Sequence, residues 1–333
     1  MNRPHSKSGA SGVTCAQSFW ISKAKTSELR TEDLARPERG QVRVRTLFSG
    51  ISRGTESLVF KGQVPESEHE RMRGPHMGGA FPFPVKYGYS AVGLVEDGRS
   101  DLVGRTVFCL HPHQDRFVVS EDALRLVPET IPPERAVLAA NMETALNILW
   151  DAEVLPGDRV AVFGAGVVGA LVAFLASRIP GTETVLADPN PAREVLTSRL
   201  GLQFAKPDHL SGAFDVLINA SASGQALSSA IECAGLEARV VEASWYGEMP
   251  VSLALGGAFH ARRLSLVSSQ VGTIPARQRA RWDYARRMGK ALSLLEDPRL
   301  DALISGETRF QDLSEAYEGI LTDPATLCHR IRY

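Results

Sequence analysis

The residues with the clearest chemical potential are three glycines in one short run, Gly164-Ala165-Gly166-Val167-Val168-Gly169. A bare GxGxxG means little, but here its context is complete. The apolar run Arg159-Val160-Ala161-Val162-Phe163 reads as a buried strand before it, and Ala170 to Ala176 reads as a helix after it. Gly164 lets the chain turn sharply off the strand. Gly166, without a Cβ, lets a diphosphate reach the backbone, and Gly169 lets the helix lie close to the strand. The helix start, with Val167 and Val168 in its first turn, offers free N–H groups and a positive dipole end to phosphate oxygens. This is the chemistry of holding a dinucleotide such as NAD. Asp188 closes the next strand, 19 residues past Gly169. A carboxylate there accepts hydrogen bonds from ribose hydroxyls and repels a 2′-phosphate, which favours NAD over NADP. Arg193 pulls the other way, because a nearby arginine can hold a 2′-phosphate, so NADP stays possible. In a second reading, Asp188 caps the helix that follows Pro189-Asn190-Pro191.

A loop of this kind must be mounted on a parallel sheet, and the surrounding texture agrees. From Asp158 to about Ser269, short apolar runs (Thr184 to Ala187, Asp215 to Asn219, Arg239 to Glu242) alternate with helical stretches, one of which ends near Leu200 with Gly201 as its left-handed cap. The N-terminal third reads as β-rich instead. In Gln41 to Phe48, Val42, Val44 and Thr46 alternate with Arg43, Arg45 and Leu47, and Ala91 to Glu96, Arg105 to Leu110 and Arg116 to Val119 are further short strands. Pro132 to Trp150 turns helical. A late helix near Ala280 to Leu295 carries Trp282, Ala285, Met288, Leu292 and Leu295 on one face. The interleaved Arg277, Arg279, Arg281, Arg286, Arg287 and Lys290 then form its solvated face, not a nucleic-acid surface.

Composition narrows the function classes. The chain has 333 residues, 44% hydrophobic and 23% charged, enough for about two domains with real cores. With 37 Lys and Arg against 38 Asp and Glu, the net charge of −1 favours neither nucleic acid nor an anionic membrane. The longest apolar stretch, Val160 to Ala176, is shorter than the roughly 20 residues a bilayer requires. Cys15, Cys109, Cys233 and Cys328 form no CxxC pair, so a cytoplasmic location is the expectation. Residues 1–12 are polar, lack an apolar signal core, and read as a disordered tail.

Beyond the glycine loop, the order of segments VRVRTLFSGISRGTE, VKYGYSAVGLVE, GRTVF, METAL and LPGDRVAVFGAGVVG, followed by Asp188, resembles the medium-chain dehydrogenase/reductase superfamily, the zinc alcohol dehydrogenase-like proteins, over nearly the whole chain from about Ser18. The resemblance implies an α/β protein in which a GroES-like β-rich catalytic domain (13–140 and 270–333) wraps a Rossmann doubly wound parallel sheet (141–269). It also implies an active site between them for a small-molecule substrate, and a homodimer through the Rossmann sheet. Arg53 matches the family position that touches the cofactor diphosphate, and Thr144 in the METAL segment is placed with it.

The departures matter as much. Ser52 stands where zinc members carry a cysteine ligand, and Gly88-Tyr89-Ser90 stands where they carry Gly-His-Glu. The four-cysteine lobe of a structural zinc is absent. Zinc needs three donors of the His, Cys or carboxylate type, and Ser52 and Tyr89 are poor ones, so no zinc is expected. His111 and His113, two apart on a presumed strand, lack a third partner. Without a metal, an organic donor must steady the oxygen that gains charge and supply its proton. Tyr89, Ser52 and Glu56 are the expected catalytic residues. Tyr87 lies on the same side, Lys86 is adjacent and able to lower a phenol pKa, and Thr55 shares the loop of Ser52 and Glu56. Bland alternatives stand beside these: the tyrosines pack on Phe81 and Phe83, Glu56 pairs with Arg53, and Glu143 caps a helix. Phe81, Phe83 and Trp245, with Tyr246 beside it, suit a flat or cyclic substrate. Arg262 and Arg263 reach the cofactor or close the cleft. The expected activity is zinc-independent, NAD(P)(H)-dependent hydride transfer involving an alcohol, carbonyl or activated alkene. The alternatives are an NADPH quinone or enone reductase and a non-catalytic dinucleotide sensor.

Overall fold

The computed structural model describes residues 14–333, so the tail expected at 1–12 lies outside the described residues. In chain order, β1 (Thr14–Lys23), β2 (Thr26–Leu34) and β3 (Gln41–Ser52) lead into α1 (Arg53–Lys61). Then come β4 (Gly78–Gly79), β5 (Val85–Lys86), β6 (Ala91–Asp97), β7 (Thr106–Cys109), β8 (Arg116–Ser120) and β9 (Leu124–Leu126). Helices α2 (Pro133–Ala136) and α3 (Ala139–Ala152) precede β10 (Arg159–Phe163), α4 (Val167–Ala176), β11 (Glu183–Ala187), α5 (Arg193–Leu200) and β12 (Gln203–Ala205). The chain continues through β13 (Phe214–Asn219), α6 (Gly224–Cys233), β14 (Ala234–Glu242), β15 (Ser265–Ser268) and α7 (Tyr284–Ser293), and ends with β16 (Ile304–Arg309), α8 (Leu313–Thr322) and β17 (Cys328–Arg332).

In β3, Val42 and Val44 are fully buried and Thr46 nearly so, while the arginines between them face outward, as the period of two demands. β3 runs beside β6 and β8 and, across Ser52↔Cys328, beside β17. The last strands of the chain therefore complete the sheet begun by residues 41–52.

The second body is a six-stranded sheet in the order β12-β11-β10-β13-β14-β15, parallel throughout. Alternate residues of β10 enter different cores. Val160 and Val162 pack with α3 and α4, whereas Ala161 and Phe163 pack with Leu227, Ala230 and Ile231 of α6. Both faces are covered, as a doubly wound sheet requires. The apolar run 160–176 resolves into a strand, a turn and a helix of 10 residues. No helix among the described residues is long and apolar enough to cross a membrane.

Four local expectations are corrected. The helical stretch 132–150 is two helices, because the Val137 carbonyl is taken by the Ser90 hydroxyl at the break. The late helix starts only at Tyr284, with Asp283 accepting the Arg286 N–H as its cap, and Ala285 is exposed. Its buried side holds Arg287, Met288, Ala291 and Leu292, so Arg287 does not belong to a solvated face. Arg287 donates to Glu143 Oε1 at 3.0 Å, to Asn147 Oδ1 at 2.6 Å and to the Val271 carbonyl at 2.6 Å, and so fastens α7 to α3. Glu143 accordingly sits inside α3 as a buried ion-pair partner and caps nothing.

Candidate functional site

The strand order reverses between β10 and β13, and ligands of such sheets lie outside the carboxyl ends of the strands at that point. The glycine loop is there, and its three glycines meet different constraints. Gly164 has φ +102°, in the left-handed half of backbone space, and a Cβ on it would stand 2.9 Å from Ser221 Cα in the loop after β13. A Cβ on Gly169 would stand 1.9 Å from the Gly164 carbonyl oxygen. These two glycines are demanded by the protein's own packing. Gly166 is different: its φ is −79°, and a Cβ there would meet nothing within 4 Å. It is the N-cap of α4, and no side chain caps that helix start, so Val167 and Val168 open a turn whose first N–H groups lack intrahelical partners. The structure holds a cradle that a Cβ would fill, at a positive helix end. That fits a diphosphate.

Around the cradle, Asp188 Oδ2 accepts the Ala165 N–H at 2.7 Å and Oδ1 accepts the Asn190 N–H at 2.9 Å. Asp188 thus ties the glycine loop to the turn after β11 and does not cap a helix, since α5 begins at Arg193 behind Ala192. Each carboxylate oxygen keeps a lone pair. Arg193 is buried and donates to the carbonyls of Pro324 at 2.7 Å and Ala325 at 3.4 Å, while Arg53 donates to the Asp323 carbonyl at 2.9 Å. Both arginines are spent on one backbone turn between α8 and β17. Thr144 returns its hydroxyl to the Ala140 carbonyl of its own helix at 3.0 Å. Arg262 and Arg263 do not reach this crevice, because Arg262 donates to the carbonyls of Glu232 and Ala234, and Arg263 pairs with Glu237.

At the other end, β3 delivers Ser52 to the start of α1, so Thr55 and Glu56 sit on a helix and not in a loop. The Tyr89 phenol lies beside the Ser52 and Thr55 hydroxyls, with Cys328 and Glu56 nearby. Burial raises its pKa from 10.0 to about 12, against the lowering effect of those two hydroxyls. Tyr89 is therefore neutral and a proton donor throughout the physiological range. Lys86 does not act on it: its ammonium pairs with Glu32 at 2.8 Å and bonds Gln114 at 2.9 Å. Tyr87 packs edge to face on Tyr89 at 6.1 Å and against Phe81 at 5.8 Å. Trp245 and Phe83 border the same apolar cluster, and Tyr246 donates to Glu242 at 3.0 Å.

Glu56 is wholly buried and does not pair with Arg53. Its Oε1 accepts the Ser52 N–H at 2.8 Å, and its Oε2 accepts the Tyr317 hydroxyl at 2.6 Å and faces His113 Nε2 at 3.1 Å. His113 Nδ1 meets Ser49 Oγ at 2.8 Å, which meets the Tyr333 hydroxyl at 2.9 Å. Sequence reasoning missed Ser49, Tyr317 and Tyr333, and weighed His113 only as a metal ligand. His111 and His113 occupy an irregular segment and diverge, His111 stacking on Phe117 at 3.8 Å. Burial lowers the His111 pKa to about 3.

The donors in reach of Tyr89 suit zinc poorly. Tyr89 is neutral, burial raises the Cys328 thiol to about 12, and both Glu56 oxygens are engaged. Among the described residues, no three His, Cys, Asp or Glu side chains are placed to share a metal ion. Two surface depressions of 400 and 290 Å³, near α4 and α7, contain no residue of either cluster.

With its β-rich body completed by the chain's last strands, a doubly wound sheet and a glycine loop at its switch point, the chain shares its fold with solved alcohol dehydrogenase structures. The solved structure of a short chain alcohol dehydrogenase from Escherichia coli CFT073, in complex with NADH, superimposes with a TM-score of 0.77 at 17% identity, covering 96% of this chain and 99% of that one. In sequence, D-guloside 3-dehydrogenase of Escherichia coli K12 is 24% identical over 303 residues, 82% of this chain and 84% of that protein. D-xylulose reductase A of Aspergillus oryzae is 28% identical over 125 residues, which is 36% of this chain and only 33% of the reductase. No family model matches the chain.

Proposed function

We propose that the chain is a nicotinamide-dependent oxidoreductase that interconverts a secondary alcohol and its ketone on a polyhydroxylated, sugar-like substrate, without zinc. The observation that carries the dinucleotide reading is Gly166, the one residue of its loop whose missing side chain nothing in the protein requires. The polyol class is supported by D-guloside 3-dehydrogenase, aligned over most of both chains.

Gly166 and the first turn of α4 would hold the diphosphate and Asp188 the ribose hydroxyls. A bound nicotinamide supplies or takes the hydride. The chain's own residues handle the oxygen. Tyr89, neutral and oriented by Ser52 and Thr55, donates a hydrogen bond to an oxygen that gains charge as the carbonyl carbon is reduced, and then its proton. Ser52 and Thr55 hold the phenol oxygen as that proton leaves. NAD is preferred over NADP, because Asp188 repels a 2′-phosphate and the Arg193 guanidinium already serves two carbonyls. This argues against the NADPH quinone or enone reductase reading. The reading includes a cytoplasmic homodimer formed through the parallel sheet.

Separate titrations with NADH and NADPH, followed by turnover assays on polyols, ketoses, quinones and enones, test the proposal. The expected result is tighter NADH binding and turnover of a polyol–ketose pair in metal-free buffer. Binding without any turnover would favour a sensor, and turnover that vanishes with a chelator and returns with zinc would overturn the metal-free chemistry.

A further inference from the structure

Directly behind Ser52 and Thr55 lies a chain of polar groups that the reaction above does not use. It runs Tyr333 hydroxyl, Ser49 hydroxyl, His113 imidazole, Glu56 carboxylate, Tyr317 hydroxyl. Four of its members, Ser49, Glu56, His113 and Tyr317, are at most 1% exposed. They come from β3, α1, the segment between β7 and β8, and α8. Burying a carboxylate with an imidazole is costly compared with apolar packing of the same volume, so stability alone is a weak reason for the arrangement.

The geometry gives a better one. A carboxylate accepts only, so the Tyr317 O–H and the His113 Nε2–H both donate to Oε2, while the Ser52 N–H donates to Oε1. Three donors fix the carboxylate plane. Through the Ser52 N–H, that plane fixes the junction of β3 and α1, which carries the two hydroxyls that lie beside Tyr89. Ser49 engages the opposite ring nitrogen and thereby sets the imidazole's orientation.

We propose that His113 and Tyr317 are positioning residues for the proton donor: they clamp Glu56, and Glu56 holds Ser52 and Thr55 in place under the Tyr89 phenol. This rests on the hydride-transfer reading for its kinetic consequence but not for its structural one. A fully satisfied buried network rigidifies what it touches, and misplacing a catalytic group by about 1 Å costs on the order of 100-fold in rate.

The test uses Tyr317→Phe, which removes one hydroxyl and keeps the ring packed on Phe19 and Phe60, together with His113→Leu and His113→Gln. In Tyr317→Phe and His113→Leu, kcat should fall about 10- to 100-fold while KM and the NADH dissociation constant change less than about threefold. His113→Gln, whose amide nitrogen can still donate to Glu56, should recover most of the loss. The second readout is independent of turnover. With 13Cζ-labelled tyrosine the chain's six tyrosines give six resonances, and Tyr89→Phe assigns one of them. That resonance should move at neutral pH in Tyr317→Phe and His113→Leu and return toward its original position in His113→Gln. Wild-type kcat in Tyr317→Phe, or an unmoved Tyr89 resonance in folded variants, overturns the proposal. If the unsubstituted protein binds no dinucleotide, the hydride-transfer reading fails, while the resonance still decides the positioning role.

Discussion

Substituting each glycine of the loop by alanine separates what the protein needs from what a ligand needs. At Gly166 the backbone is at φ −79° and ψ −176°, open to any residue, and a new Cβ touches nothing within 4 Å. Alanine restricts the unfolded chain, worth about 0.4–1 kcal/mol of stability, and is a poorer N-cap than glycine by a similar amount, about 0.5–1 kcal/mol. The two effects nearly cancel, so Gly166→Ala should melt within about 3 °C of the unsubstituted protein. At Gly169 the added Cβ lies 1.9 Å from a backbone oxygen, so α4 must move off the loop. Overpacking of that kind costs typically about 1–3 kcal/mol. At Gly164 the left-handed φ of +102° adds about 1–2 kcal/mol before the clash with Ser221 is counted. Affinity should follow a different order. The Gly166→Ala methyl occupies the approach to the α4 amides, so NADH binding should weaken about 10- to 100-fold, or roughly 1.4–2.8 kcal/mol, in a protein of unchanged melting temperature. Calorimetric titration with NADH beside thermal unfolding measures both. Gly166→Ala that binds NADH as tightly as the parent, while folded, would refute the placement of the diphosphate.

Four further outcomes are expected. Tyr89→Phe should keep NADH affinity and lose about 100-fold in kcat for ketone reduction, as removal of a proton donor does; full turnover would remove Tyr89 from the reaction. Asp188→Ala should lower NADH affinity and raise the NADPH-to-NADH preference about tenfold, measured as a ratio of dissociation constants; an unchanged ratio would dissociate Asp188 from the ribose. Arg287→Met leaves the buried Glu143 carboxylate unpaired and should cost about 3–5 kcal/mol in urea unfolding, with the double variant Arg287→Met/Glu143→Met markedly milder; equal losses would show that the ion pair itself stabilises α7 on α3. Stability should fall on both sides of neutrality. His111 has its pKa lowered from 6.5 to about 3, so the unfolded chain binds the extra proton and stability is lost as pH falls from 6.5 toward 3. Cys109 and Cys328 are raised from 9.0 to about 12, so the folded chain holds the extra protons and stability is lost as pH rises from 9 toward 12. His111→Leu should flatten the acid limb of urea midpoint against pH, and an unchanged limb would show that another group governs it.

The parts of the fold that were legible in the sequence are those that local rules determine. β10 and the Gly201 cap, with its φ of +72°, follow from an apolar run and a glycine at a helix end. The errors came where a distant partner overrode a local pattern. Arg287 looked like one more charge on a wet helix face, and its burial depends on distant partners, Glu143 and Asn147 in α3 among them, the first 144 positions away. The helix break at Val137 depends on a hydroxyl 47 positions earlier.

The same distinction divides the site. Its dinucleotide end is built mainly from backbone: a turn, a helix start and space left by a missing Cβ, all within six consecutive residues, so spacing alone reveals it. Its oxygen end is built from side chains of Ser52, Glu56, Tyr89, His113, Tyr317 and Cys328, which two strands, two helices and two irregular segments bring together. No period or spacing links positions 56, 113 and 317, and Tyr317 sits in α8 where an aromatic at helical spacing reads as core. The signal that was available was negative: serine and tyrosine stood where metal ligands were expected, which implies that an organic donor has to be oriented by its neighbours. A metal ion orients its ligands through its own coordination geometry, whereas a phenol has one rotatable O–H and must be fixed from outside. Under the proposed metal-free reaction, the demand for precision passes to the residues behind Tyr89. On this logic, substitutions at Glu56, His113 and Tyr317 should affect turnover more than they affect cofactor affinity.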